Sequence, residues 1–273
     1  MTADEHLRRI RDDGFTIFQH VIPPDKIDAI RQSVLEVAQR ECNSQTRARL
    51  GVTHVSSYIN HNQSFAPYLA DRCMMDVMEA LFGQHLRVSF TSTQINDPGN
   101  PRTGWHADWP FNQRNAGHIP APYPDFCTHL TSLWMFSAFT EENGGTLIVP
   151  GSHRINTNPT ADMGVDAEAV YPTEILVTGE AGSVLLFDSR LWHAANHNGS
   201  SRPRVSMAIR YAPWWLNLEV LRTGSEDRKR MVEECGGTEN QVPLVTREVF
   251  ENLPDEVKPL FRHWVEPAGG RLK

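Results

Sequence analysis

The chain has 273 residues, of which 40% are hydrophobic and 22% charged, and a net charge of −7; these are the proportions of an ordinary globular protein. The acidic balance provides no electrostatic footprint for nucleic acid or an anionic membrane, and no apolar run approaches the ~20 residues of a membrane span. Cys42, Cys73, Cys127 and Cys235 lack the paired spacing of a zinc site. The first fourteen residues are charged where a signal peptide would be apolar. The expectation is a cytoplasmic protein with free thiols.

In chain order, residues 4–13 read as a helix stopped by Gly14, and Phe15–Phe18 as a short strand. Pro23-Pro24-Asp25 opens a helix to about Arg40, with Ile27, Ile30, Val34 and Val37 on one face. Residues 43–65 are polar and are expected to form a long ordered loop or lid. Residues 67–82 carry a further helix closed by Gly83. From Leu86 the texture changes to short β-type runs separated by Gly, Pro and Asn, which predicts a sandwich or jelly roll. After Pro213 come Trp214-Trp215 and helices near 225–235 and 246–262. The whole, 1–273, reads as one domain, with a β core at about 86–213 and helical flanks at 4–82 and 214–265.

The chemistry-bearing pattern is His106-Ala107-Asp108, then His193, then Arg204 eleven residues later. Residues i and i+2 of a strand point to one side, so His106 and Asp108 can share an ion. Two imidazoles and one carboxylate occupy one face of a divalent metal and leave the other open, which suits ferrous iron with a co-substrate and oxygen. Arg204 lies far enough beyond His193 to return on the next strand and clamp a dicarboxylate. Ser206, two residues on, shares that strand face, and Gln94 and Thr103 precede the His-x-Asp segment within reach of the same ligand. Arg202 and Arg210 compete with Arg204 for the anchoring role. His197 is placed in a turn rather than on the metal, and His153 is assigned a structural hydrogen bond. Trp105, Trp109 and Trp192 alternate with the ligands and are expected to pack away from them.

Three blocks carry a family resemblance: Gly104-Trp105-His106-Ala107-Asp108-Trp109, Glu142 to Arg154 (ENGGTLIVPGSHR), and Gly182 to Asp188 leading through Leu191-Trp192-His193 to Arg204. In this order and spacing, over roughly residues 10–213, the chain resembles the phytanoyl-CoA dioxygenase family of iron(II)- and 2-oxoglutarate-dependent oxygenases. The resemblance implies a double-stranded β-helix (jelly-roll, cupin-like) core, with His106, Asp108 and His193 as metal ligands and Arg204 on the far carboxylate of 2-oxoglutarate. It also matches Asn198 and Ser200 to the family's turn and Trp134 to a tryptophan on the strand before the Glu-Asn-Gly-Gly-Thr turn, which places Trp134 with the residues expected to bind the co-substrate. Relatives often carry two acids shortly after that tryptophan, whereas this chain has Ser137 and Ala138. Asp108 speaks against halogenation, which the resemblance associates with a small residue there.

The expected function is hydroxylation of a small organic molecule using O2 and 2-oxoglutarate, with succinate and CO2 as co-products. Desaturation, epoxidation or an acyl-CoA substrate are alternatives within the class, with a free small molecule favoured because the lid segments lack a Lys/Arg cluster. A non-catalytic metal-containing jelly roll and a zinc hydrolase are the rivals from other classes; the latter has no evident use for Arg204. Residues 109–126, with 44–64 and Trp214-Trp215, are expected to shape the substrate pocket. The sequence leaves the oligomeric state open.

Overall fold

Helix α1 (Ala3–Asp12) starts in a reciprocal capping box. Thr2 Oγ1 accepts from the Glu5 N–H while the Glu5 carboxylate accepts from the Thr2 N–H. The chain reverses at Gly14, φ +91°, directly into strand β1 (Phe15–Phe18). Helix α2 (Pro24–Glu41) buries Ile27, Ile30, Val34, Val37 and Ala38, the face its periodicity predicts. Helix α3 (Arg72–Phe82) is capped by Asp71 and closed at Gly83. These elements belong to a computed structural model that describes residues 1–41, 53–108, 119–159, 164–237 and 241–267.

Seven further strands follow: β2 (Arg87–Asn96), β3 (Leu130–Met135), β4 (Thr146–Ile148), β5 (Ile175–Val177), β6 (Val184–Asp188), β7 (His193–Ala195) and β8 (Arg204–Ala212). They form two antiparallel sheets, one ordered β1-β6-β3-β8-β2 and the other β5-β4-β7. The sheets face one another across Leu133, Met135, Leu185, Phe187 and Ala208 from the larger and Ile148 and Val177 from the smaller. This is the jelly roll expected from the strand-rich middle, in the double-stranded β-helix form that the family resemblance implies.

The outer face of the large sheet, with Leu130, Trp134, Val184, Leu186, Val205, Met207, Ile209 and Tyr211, packs under the helices in one cluster running from Leu7 to Trp264. Its central strands are therefore buried on both faces, and β3 and β6 are buried at every position. The small sheet is backed by Trp105, Ala107, Leu147, Val149, Trp192 and Ala194.

Three elements differ from their sequence expectations. The C-terminal helix expected over 246–262 is two short ones, Arg247–Asn252 and Lys258–Phe261, because Pro254 cannot continue the first. The segment near 225–235 is one turn of α-helix, Glu226–Arg228, running into a π-helical turn, Lys229–Glu233. The lid expected at 43–65 is, in its described part, a covering of the sheet edge. Thr53 bridges Ile95, Ser56 bridges Ser92, and Val55, Tyr58, Ile59 and Phe65 are buried in the helical core. Its first part, through residue 52, lies outside the described residues.

Candidate metal centre

His106 and Asp108 lie on an irregular segment after β2, residues 97–108, in which only His106 makes a β-bridge, rather than in a full strand. The segment is held by separate hydrogen bonds: Thr103 N–H to Ala195 O, Trp105 N–H to Ala167 O, and Asp108 N–H to Ser189 O. At His106 it closes a reciprocal pair with His193, each N–H donating to the other's carbonyl at 3.0 Å. Directly opposed residues point to the same side, and the two imidazoles stand 4.1 Å apart. The ligand atoms of His106, Asp108 and His193 all lie within 4.8 Å of one another.

Both rings are oriented the same way. His106 Nδ1 is 3.3 Å from Gly104 O and His193 Nδ1 is 2.9 Å from Leu191 O, so each Nδ1–H is committed to the backbone and each Nε2 is left as a donor to an ion. Burial, then the neighbouring His106, pushes His193 down to about 4, so it is the neutral imidazole that metal ligation requires. Burial alone would raise Asp108. Arg210, followed by His193 and His106, overrides this and holds its carboxyl well below the usual carboxylate range.

Arg210 Nη2 donates to Asp108 Oδ1 at 2.6 Å, and Thr131 Oγ1 donates to Oδ2 at 2.9 Å. The Arg210 guanidinium also lies 4.9 Å over the Phe90 ring. From the sequence Arg210 stands only as a competitor of Arg204; its pairing with Asp108 joins residues 102 apart and has no local signature. Its position on the same strand face as Arg204, six residues along, is the one signal that points it toward the site.

Arg204 is 3% exposed and faces the barrel interior. Its Nη1 donates to Thr146 Oγ1 at 3.2 Å, its guanidinium carbon sits 4.3 Å over Phe139, and its Nε is buried without a hydrogen-bond partner. Desolvation lowers its pKa to about 10. Among the described residues no carboxylate pairs with it, so the interior holds a cation that would accept an anion. Thr146, next to Gly144-Gly145, is a further residue that sequence reasoning left unassigned.

The remaining expectations divide. Ser206 and Gln94 are opposite one another in the β2–β8 register, on the Arg204 face, but the Ser206 hydroxyl donates to Gln94 O at 2.7 Å and Gln94 Nε2 donates to Ser92. Thr103 Oγ1 accepts from the Ala195 N–H at 2.9 Å, so this side chain clips the metal segment to β7. Trp134 is a correction. Leu133 and Met135 on either side point into the barrel, so Trp134 points out, fully buried under the helices with Nε1 donating to Ser132 Oγ. From that face it cannot touch a ligand of Arg204.

Trp105 and Trp192 pack behind the small sheet with Tyr171; Trp109 and the rest of 109–118 lie outside the described residues. His197 is exposed in its turn with Nδ1 on Asn100 O. His153 is buried with Nε2 on Arg11 O. Asn198 and Ser200 build the turn before β8. Trp214 and Trp215 line a surface pocket of about 340 Å³ with Arg87, His263 and Trp264, and that pocket contains none of the three ligand residues.

A family model described as phytanoyl-CoA dioxygenase matches residues 10–206, well over half of the chain. Dioxygenase af480 of Aspergillus fumigatus is 30% identical over 131 residues, 48% of this chain but 38% of that protein, so this chain spans less than half its length. The ectoine dioxygenase of Nocardia farcinica is 26% identical over 239 residues, 75% of this chain and 76% of that protein. Among solved structures, EctD from S. alaskensis with 2-oxoglutarate and 5-hydroxyectoine superposes with a TM-score of 0.62 at 19% identity, covering 78% of this chain and 76% of that one. At that identity the likeness speaks for the fold.

Proposed function

Because this chain belongs to the phytanoyl-CoA dioxygenase family, we propose that it is an iron(II)- and 2-oxoglutarate-dependent dioxygenase that hydroxylates a small organic molecule. The carrying observation is one barrel interior that gathers two Nε2-directed imidazoles, a carboxylate, and a buried guanidinium that no carboxylate pairs with among the described residues. The donor set fits iron. Neutral nitrogen ligands and one anion bind it without saturating its charge, and three ligands leave open positions. Bound there, iron with 2-oxoglutarate would supply oxygen activation, with succinate, CO2 and a hydroxylated carbon as products.

The chain's own residues do the positioning. His106 and His193 are locked by backbone carbonyls, and Asp108 is held at both oxygens. Arg204 would neutralise the far carboxylate of 2-oxoglutarate, with Thr146 steering its Nη1. Ser206 and Gln94 line the same face. The apolar wall of Phe139, Phe187 and Leu133 excludes water from this end of the barrel.

The ectoine dioxygenase relative supports a free small-molecule substrate over an acyl-CoA. No described helix is long and apolar enough to cross a membrane.

Anaerobic addition of iron(II) and then 2-oxoglutarate should produce a visible charge-transfer absorption that Asp108→Ala lacks. Aerobic incubation with metabolite panels should then release succinate. A protein that binds both but never forms succinate would be a binding module. One active with zinc and indifferent to oxygen would be a hydrolase. Either result refutes the proposal.

A further inference from the structure

A continuous buried chain of hydrogen bonds leads away from Asp108. Thr131 Oγ1 is 2.9 Å from Asp108 Oδ2, Ser189 Oγ is 2.8 Å from Thr131 Oγ1, His129 Nδ1 is 2.8 Å from Ser189 Oγ, and Ser89 Oγ is 2.7 Å from His129 Nε2. Ser89, His129, Thr131 and Ser189 are each no more than 2% exposed. The four side chains meet one another away from bulk solvent, and the proton directions along these contacts can be counted.

An ionised carboxylate only accepts, so Thr131 spends its one proton on Asp108. Ser189 must then donate to Thr131, and that spends its proton too. The remaining contact to Ser189 has to be a donation from His129 Nδ1–H. In a neutral ring this leaves Nε2 as an acceptor, and Ser89 is there to donate to it. The polarity runs one way, Ser89 to His129 to Ser189 to Thr131 to Asp108.

Local structure is arranged around this chain. The β2–β8 register slips between Val88 and Phe90, which makes Ser89 the extra residue of a bulge and turns its side chain toward His129. Ser189 is fixed by its backbone as well, donating to His129 O and accepting from the Asp108 N–H. The other carboxylate oxygen, Oδ1, is held by Arg210.

We propose that His129 is a positioning residue of the metal centre. As the Nδ1–H tautomer it anchors the donor chain that fixes the orientation of Asp108, so the carboxylate meets the ion in one preset pose. The inference rests on the iron-site reading above, but it concerns a residue four contacts from the ion, reached through Asp108, Thr131 and Ser189.

The test has a metal-free part and a metal-bound part. In the metal-free wild-type protein, nitrogen NMR of labelled histidine should find His129 protonated at Nδ1 and bare at Nε2; the opposite tautomer overturns the proposal. Co(II) then serves as the spectroscopic probe. His129→Leu should weaken Co(II) binding about 10- to 100-fold and alter its visible d–d bands. His129→Asn, whose amide can donate to Ser189 from the Nδ1 position, should stay within about threefold of wild type.

If both variants lose stability but the folded protein binds Co(II) as tightly as wild type, His129 is merely structural and the proposal fails. Should His129→Leu not fold, Ser189→Ala cuts the chain at its centre and carries the same expectation. If wild-type protein binds Co(II) no better than Asp108→Ala, the metal centre itself is wrong and the positioning role falls with it. Tight wild-type binding with no loss in the chain variants removes the positioning role alone.

Discussion

Replacing Arg204 by methionine separates a residue kept for ligand binding from one kept for stability. The guanidinium is buried, and desolvation lowers its pKa from its ordinary value to about 10. At about 1.4 kcal/mol per pH unit, holding this cation in the barrel with no carboxylate beside it among the described residues costs about 3 kcal/mol. Offsetting this are one hydrogen bond to Thr146 and the Phe139 ring, together worth about 1–2 kcal/mol. Methionine fills a similar space without charge, so Arg204→Met should leave the metal-free protein about 1 kcal/mol more stable, read as an upward shift of the urea midpoint. The same change removes a charge-assisted contact of about 1.5–3 kcal/mol to 2-oxoglutarate, so half-maximal succinate formation should need about 10- to 150-fold more co-substrate. A variant that loses more than about 2 kcal/mol of stability while keeping its 2-oxoglutarate requirement would refute both halves of this reasoning.

Asp108→Ala should abolish succinate formation and the iron–2-oxoglutarate absorption, since the ion loses its anionic ligand; wild-type turnover would remove Asp108 from the site. Arg210→Gln leaves a carboxylate that is 7% exposed without its ion-pair partner, and the metal-free protein should lose about 3 kcal/mol, part of it recovered on adding Co(II); an unchanged melting curve would contradict the pairing. Gly144→Ala should cost about 2–3 kcal/mol in urea unfolding. Its φ is +72°, and a Cβ there would stand 2.5 Å from Asn196 O and 2.7 Å from His197 O; tolerance of alanine would mean the turn differs. Burial, then Arg210, pushes His129 down to about 3 from 6.5. The unfolded chain therefore binds the proton first. This contribution to stability is complete above about pH 6.5 and is lost toward pH 3, by about 1.4 kcal/mol per pH unit. Urea midpoints of wild type between pH 7.5 and 4.5 should fall more steeply than those of His129→Asn, and parallel profiles would count against a neutral buried ring.

Much of this protein is local in origin and so legible in the amino-acid string. The Thr2–Glu5 box, the apolar stripe of α2 and the stop at Gly83 depend on neighbours within a few residues. His106 and Asp108 share a side because of backbone period alone, and Arg204 falls on the strand after the His193 turn for the same reason. The face of Trp134 was not legible. β3 is buried on both sides, so Leu133, Trp134 and Met135 are all apolar, and alternation of hydrophobicity cannot say which points inward.

What only the tertiary structure decided is who meets whom across long stretches of chain. Arg210 reaches Asp108 over 102 residues, His129 reaches Ser189 over 60, and Ser89 reaches His129 over 40. Such pairings follow from sheet order, strand register and a single bulge, each of which moves every partner by a residue if it slips. The sequence by itself determined the ligand types and the alternation that aims them. The supports that hold Asp108 in place came from register, because a hydroxyl or guanidinium carries no local signal of its distant partner.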